Sequence, residues 1–245
     1  MAKYFFTPAQ KHGDTVVLDG DTAHHLLHVL RMAPGEKLIL CDGAETDYAA
    51  VIEEAHPKKP QVICTVKQSA PACTEPQIKI TLYQGLPKGD KLELIIQKCV
   101  ELGIYKIVPV ATTRSIPRTK ADTKKALRYQ RIAASAAGQS MRGIVPEVCE
   151  TVTFANAAAN MDCSHLTLVA YEAENEQTLK AVLSHNQNKH INIWIGPEGG
   201  FTPEEVLALA EKGANIVTLG RRILRTETAA IAATAQILCL MESEG

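Results

Sequence analysis

Between residues 15 and 67, short apolar stretches (TVVLDG, KLILCDG, TDYAAVIEE and QVICTVKQ) are separated by turn residues, and one helical segment, DTAHHLLHVLRM, lies between the first two. Short strands punctuated this way predict a small β-barrel. The stretch SAPACTEPQ at 69–77 has two prolines, no periodicity and the composition of a linker. From residue 78 the pattern changes: IKITLYQG, KLELIIQKCVELG, IYKIVPV, LTLVAY, INIWIG and NIVTLG alternate apolar strands with helical segments. That alternation predicts an α/β domain with a parallel sheet and crossover helices on its faces. The expected division is residues 1–70, a linker at 71–77 and a second domain at 78–245. In such sheets ligands sit beyond the carboxyl ends of the strands, so the loops there are where chemistry is sought.

Two helices can be placed closely. Leu92, Ile95, Ile96, Cys99 and Val100 recur at three- and four-residue spacings, giving one buried face, and Gly103 stops that helix as a C-terminal cap. The last segment, ETAAIAATAQILCLMES, is almost uncharged from Thr228 to Met241. A helix that apolar needs cover, and a subunit interface is one source of it.

Composition narrows the class. The chain has 245 residues, 46% of them apolar, with no run long enough to span a bilayer and no secretory pattern in MAKYFFTPAQKHGD, so no membrane association and a cytoplasmic location are expected. Its seven cysteines show neither a CxxC pair nor finger spacing and read as reduced thiols, mostly in the core. His24, His25 and His28 share one helical segment without a Cys or acid arranged beside them, so no metal site is expected. The net charge of −1 conceals a polarised chain: residues 112–142 hold Arg114, Arg118, Lys120, Lys124, Lys125, Arg128, Arg131 and Arg142 against the single acid Asp122. Such a run is either a solvated helix face or a track for phosphates.

Two strand-loop-helix units carry the candidate chemistry. In INIWIGPEGGFTPEE, 191–205, an apolar strand meets a glycine-rich turn, after which Thr202, Pro203 and Glu205 compose a capping box. Gly196, Gly199 and Gly200 permit close approach of a ligand to the backbone, although a turn of this kind also occurs without one. The spacing is neither the dinucleotide fingerprint nor a phosphate-binding P-loop, which argues against nicotinamide and ATP. In NIVTLGRRILRTETAAIAA, 215–233, Gly220 and three arginines, Arg221, Arg222 and Arg225, crowd the link between a strand and the terminal helix, for whose start Thr226 or Glu227 is suited. Planar cations beside a cofactor loop suit phosphate or carboxylate.

Taken in order, GLPKGDKLELIIQKCVELG at 85–103, TTRS at 112–115, IGPEGGFTPEE at 195–205 and LGRRILRTETA at 219–229 resemble the RsmE family of SPOUT-class methyltransferases, which act on N3 of a uridine in 16S ribosomal RNA. HHLLHVLRM at 24–32 fits that family's small PUA-like barrel, so the resemblance covers nearly the whole chain. It implies a C-terminal SPOUT sheet with a deep trefoil knot, an exception to the near absence of knots in proteins, and a homodimer with cofactor pockets beside the interface. It also implies S-adenosylmethionine as cofactor and 16S rRNA, in the assembled small subunit, as partner. Another RNA as substrate, or an RNA-binding assembly factor without turnover, are the alternatives.

By the same resemblance the cofactor is held by Gly196, Pro197, Glu198, Gly199 and Gly200, by Leu219, Gly220, Arg222, Ile223 and Leu224, and by Ala170 and Tyr171. Arg225 is the candidate for stabilising charge that develops on the uracil oxygens, with Glu198 and Glu227 the nearest acids in sequence and no general base assigned. The RNA contacts expected are Arg31, Arg114, Lys124, Lys125, Arg128 and Arg142. Two positions depart from the family's pattern: Thr113, where it commonly has Glu in Glu-Arg-Ser, and Gly138, where it has Glu before Gln139.

Overall fold

The computed structural model describes residues 3–115 and 123–242, so Arg118, Lys120 and Asp122 of the basic run lie outside the described residues. The chain divides into two compact units. One comprises the residues up to Glu75 together with Ala134–Val145, and the other Pro76–Ala133 and the residues from Pro146 on.

In the first unit the strands are β1 (Lys3–Phe5), β2 (Lys11–His12), β3 (Thr15–Asp19), β4 (Lys37–Cys41), β5 (Thr46–His56) and β6 (Gln61–Pro71). They form one six-stranded sheet in the order β1-β4-β5-β6-β3-β2, antiparallel except for β1 beside β4. Period-two alternation puts Val16 and Leu18 of β3 and Leu38 and Leu40 of β4 into one core with Ile52, Val62 and Cys64. The predicted helical segment begins as α1 (Gly20–His24) and continues as a π-helical turn, His25–Val29; Arg31, two residues on, has left-handed backbone at φ 56°. β6 runs on through Pro71, paired with Thr46, and so occupies the start of the stretch whose composition suggested a linker.

The rest of that stretch is pinned by a buried ion pair. Glu75 accepts from Arg142 at 2.5 Å and from the N–H groups of Gly143 (2.8 Å) and Ile144. The two side chains are 10% and 3% exposed. Arg142 therefore cannot serve as the RNA contact expected of it: its guanidinium is spent on an acid 67 residues earlier.

In the second unit β7 (Lys79–Gly85), β8 (Lys106–Ala111), β9 (Glu147–Val148), β10 (Val152–Thr153), β11 (Leu166–Ala170), β12 (His190–Ile195) and β13 (Asn215–Val217) form an all-parallel sheet ordered β10-β8-β7-β12-β11-β13, with β9 also on β8. The helices are α2 (Lys91–Leu102), α3 (Thr123–Gln139), whose last residues belong to the first unit, α4 (Phe154–Asn160), α5 (Leu179–Leu183), α6 (Pro203–Ala210) and α7 (Thr226–Met241). α2 ends on Gly103 at φ 112°, the left-handed cap that its sequence predicts.

Helices cover both faces, which is why the strands read as continuous apolar runs. Ala157 and Ala158 of α4 and Val206 and Leu209 of α6 pack with Tyr83, Val169 and Trp194, the Tyr83 and Trp194 rings stacked at 4.4 Å. α2 and α7 pack together, with α7 also against β7 and β12. No helix among the described residues is long and apolar enough to cross a membrane. Cys41, Cys64 and Cys99 are buried, but Cys73, Cys163 and Cys239 are exposed, so the thiols are less a core set than expected. Burial pushes the Cys64 and Cys99 thiols up to about 12.

Candidate functional site

Because every strand of the second sheet is parallel, the carboxyl ends fall on one edge. Gln84, Ile195, Ala170 and Val217 lie in one row across β7, β12, β11 and β13. The loops that follow these ends therefore share that edge: Leu86–Asp90, Tyr171–Thr178, Gly196–Thr202 and Thr218–Arg225, with Thr112–Ser115 following β8 beside them. The structure thus brings together the three loops whose residues the sequence singles out.

Gly196–Thr202 is fastened from several sides. The Thr226 hydroxyl donates to the Gly196 carbonyl at 2.6 Å, Gly200 N–H closes a turn on Pro197 at 2.9 Å, and Arg114 donates to the carbonyls of Gly199 (2.7 Å) and Phe201 (3.2 Å). Thr202 caps α6, and the 5%-exposed Glu205 answers with its carboxylate on Thr202 N–H, the predicted capping box. The other oxygen of Glu205 takes both the N–H (2.8 Å) and the hydroxyl (3.0 Å) of Thr113. Thr113, where the family commonly has Glu, thus adds a hydroxyl donor to Glu205.

The glycines have steric reasons. A Cβ on Gly85 would sit 2.5 Å from the Pro197 ring, and one on Gly196 would sit 3.0 Å from the backbone of Gly200. Gly200 has φ 67° and faces the Glu172 carboxylate where a side chain would go. Gly199 is less confined, since a Cβ there meets only the Arg114 side chain at 3.3 Å. In the first unit, a Cβ on Gly138 would fall 2.5 Å from the Lys3 carbonyl, which excludes the family's glutamate from that position.

Glu198 accepts from the Lys88 N–H (3.1 Å) and from Lys91 Nζ (2.9 Å). Burial pushes this carboxyl up, but Lys91 and the Lys88 N–H outweigh it and hold it below the usual carboxylate range. Lys91 also faces Glu227 at 3.4 Å. Glu198 and Glu227 thus share one lysine.

On the third side, Tyr171 N–H bonds the Val217 carbonyl at 3.1 Å and Thr218 pairs with Thr178, which locks the β11 and β13 loops to each other. Thr218 also bonds Gly220 N–H, whose φ of 124° turns the chain toward α7. Arg221, Arg222 and Arg225 are exposed with no ion pair among the described residues, and Ile223 is 87% exposed. Arg225 occupies the N-cap position of α7 without a side-chain cap bond, so the helix begins at Thr226, whose hydroxyl looks back to Gly196 instead of capping.

Of the expected RNA contacts, Arg114 braces the Gly199 loop, and Arg128 of α3 pairs with Glu93 at 2.8 Å while its side chain stays 64% exposed. Lys124 and Lys125 are exposed on α3, and Arg31 is exposed in the first unit. Among the residues that hold the loops, the sequence did not single out Gln84, Lys88 or Lys91; it marked Glu205 only as a capping residue and Thr113 only as a departure from the family's pattern. GLPKGD was the only signal for the lysine loop, and nothing local marked Gln84.

A glycine loop whose carbonyls are held by Thr226, Pro197's own turn and Arg114, flanked by unpaired arginines, suits a bound organic cofactor with a carboxylate. Residues 74–238 match the RNA methyltransferase domain and residues 18–63 the RNA methyltransferase PUA domain. The ribosomal RNA small subunit methyltransferase E of Bacillus subtilis is 36% identical over 97% of this chain and 96% of its own length, and that of Synechocystis is 34% identical over 96% and 77%. The crystal structure of the corresponding Neisseria gonorrhoeae enzyme bound to S-adenosyl methionine superposes with a TM-score of 0.87 over 98% of each chain at 31% identity. This chain belongs to the ribosomal RNA small subunit methyltransferase E family, an α/β methyltransferase fold of SPOUT type preceded by a PUA domain.

Proposed function

We propose that the protein transfers the methyl group of S-adenosylmethionine to N3 of one uridine in 16S rRNA, acting on the assembled small subunit as a cytoplasmic homodimer. The observation that carries this reading is the fastened Gly196–Thr202 loop beside the Ala170 and Gly220 loops, in a chain similar over nearly its whole length to a S-adenosyl methionine-bound relative. Gly196, Pro197, Glu198, Gly199 and Gly200 with Ala170, Tyr171, Leu219, Gly220, Ile223 and Leu224 would hold the cofactor, and Arg222 suits its carboxylate. The close approaches at Gly85, Gly196 and Gly200 are to Pro197, to the Gly200 backbone and to Glu172, so these glycines set the tight packing of the loop that would hold the cofactor.

Bound there, the cofactor supplies an electrophilic methyl on a sulfonium, so positioning of the two reactants dominates catalysis. Uracil N3 carries a proton at neutral pH, and its loss leaves charge on O2 and O4. Arg225, exposed at the start of α7 with no ion pair among the described residues, would meet that charge. Glu198 is a poor proton acceptor because Lys91 and the Lys88 N–H favour its ionised form. Lys124, Lys125 and Arg128 on α3, and Arg31 in the PUA unit, would contact phosphates. The run from β13 to α7 is read as the strand of a deep trefoil knot, and partly buried apolar positions of α7 such as Ile231 and Ala235 as the subunit contact.

Calorimetric titration with S-adenosylmethionine, together with nucleoside mass spectrometry of 16S rRNA from cells with and without the gene, tests the reading. Micromolar binding and one N3-methyluridine lost on deletion are expected. No cofactor binding would leave an RNA-binding assembly factor, and loss of a methyl from tRNA or 23S rRNA would move the substrate.

A further inference from the structure

We propose that Gln84 and Thr226 are a positioning pair that sets the Gly196 loop and the first turn of α7 as one body. The proposal rests on the cofactor reading above and concerns two buried residues outside the sets assigned to cofactor and RNA.

Gln84 is fully buried at the end of β7, beside Ile195, and Thr226 is 5% exposed. The Gln84 amide donates twice through Nε2, to the Gly85 carbonyl and to Thr226 Oγ1, each at 2.9 Å. Its Oε1 is buried with no hydrogen-bond partner among the described residues. Leaving a buried acceptor unmet is costly, and the reversed amide would only trade that loss for an oxygen facing the Gly85 carbonyl. The orientation observed has one effect: Thr226 must accept from Gln84, so its single proton is directed at the Gly196 carbonyl, 2.6 Å away. Gln84 thus fixes the direction of the Thr226 hydroxyl, and Thr226 fixes the first residue of the glycine loop.

Thr226 also stands between Arg225 and Glu227, and Glu227 shares Lys91 with Glu198 of the same loop. The start of α7 is therefore tied to the loop at both Gly196 and Glu198. Any displacement of Gly196 is passed to Arg225, so one hydroxyl governs cofactor affinity and turnover together.

The test compares the protein carrying Thr226→Val, Thr226→Ser or Gln84→Met with the parent. Thr226→Val keeps the shape and removes the proton; it should weaken S-adenosylmethionine binding about three- to tenfold, the size of one neutral hydrogen bond, and lower kcat as well as raise KM. Amide exchange at residues 198–201 should quicken in Thr226→Val while exchange in β7 and β12 is unchanged. Thr226→Ser should restore most of the loss, and Gln84→Met should fall between. Parent-like affinity, turnover and exchange in Thr226→Val would overturn the proposal. So would equal defects in Thr226→Val and Thr226→Ser, which would make the methyl, and not the hydroxyl, the important group. If the parent itself binds no S-adenosylmethionine, the cofactor reading fails, and the exchange comparison still decides whether the pair holds the loop.

Discussion

Substituting Gly196 by alanine is the sharpest steric test of the cofactor loop. The added Cβ would lie 3.0 Å from both Cα and C of Gly200 and 3.1 Å from Phe201 N, all backbone atoms. Ordinary packing leaves about half an ångström more between such atoms, so the facing backbone must retreat by that amount, and no rotamer can relieve it. Retreat is opposed by the Gly200 to Pro197 turn and by Arg114 on Gly199 and Phe201. Overpacking of this kind costs about 1–3 kcal/mol, and if it falls on the bound loop the affinity for S-adenosylmethionine drops about five- to a hundredfold. Gly199→Ala supplies the milder control, because its Cβ would meet side-chain atoms of Arg114 at 3.3 Å and beyond and not backbone at 3.0 Å. Its affinity should fall less than about threefold, on the order of half a kcal/mol. Calorimetry on both variants, with thermal melts to verify folding, decides the matter. Parent-like affinity in Gly196→Ala, or a larger loss in Gly199→Ala, would refute the steric reasoning.

Arg142→Ala should destabilise the protein by about 3–5 kcal/mol in urea unfolding, because it strands the Glu75 carboxylate in a buried site; a loss below about 1 kcal/mol would contradict the structural role given to Arg142. Lys124→Glu with Lys125→Glu should weaken RNA binding and make its log-log salt dependence shallower by roughly 0.7–0.9 for each phosphate that is no longer neutralised, while calorimetric cofactor affinity stays near the parent's; unchanged RNA binding at every salt concentration would leave α3 a solvated face. Arg225→Ala should keep cofactor and RNA affinity within a few-fold and lower kcat by about 100-fold or more, the scale of one charge-stabilising group; equal losses of binding and turnover would make it an anchor.

How much of this was legible in the sequence follows from how local each interaction is. The capping box at Thr202–Glu205 and the Gly103 stop of α2 depend on residues within four positions of one another, and both are found as read. The parallel sheet was legible because strands buried on both faces are apolar throughout. Arg142 was misread for the opposite reason: in the chain it belongs to a basic run, while its partner Glu75 lies 67 residues away. Arg114 likewise reads as a phosphate ligand until the fold sets it against carbonyls 85 and 87 residues on. Gln84 and Thr226, 142 residues apart, are ordinary polar residues in apolar segments until β7 and α7 meet. The sequence pointed to three loops, and the fold brings them to one sheet edge and shows what holds them.

Methyl transfer to a single base atom is the central claim, and one experiment addresses it directly. Small subunits from cells lacking the gene are incubated with the purified protein and S-adenosylmethionine bearing a deuterated methyl, and the 16S rRNA is digested to nucleosides for mass spectrometry. The expected result is label in N3-methyluridine, approaching one per subunit, and absent with Arg225→Ala at the same time point. Label on another nucleoside, or none with a protein that binds the cofactor, would contradict methyl transfer to uridine N3.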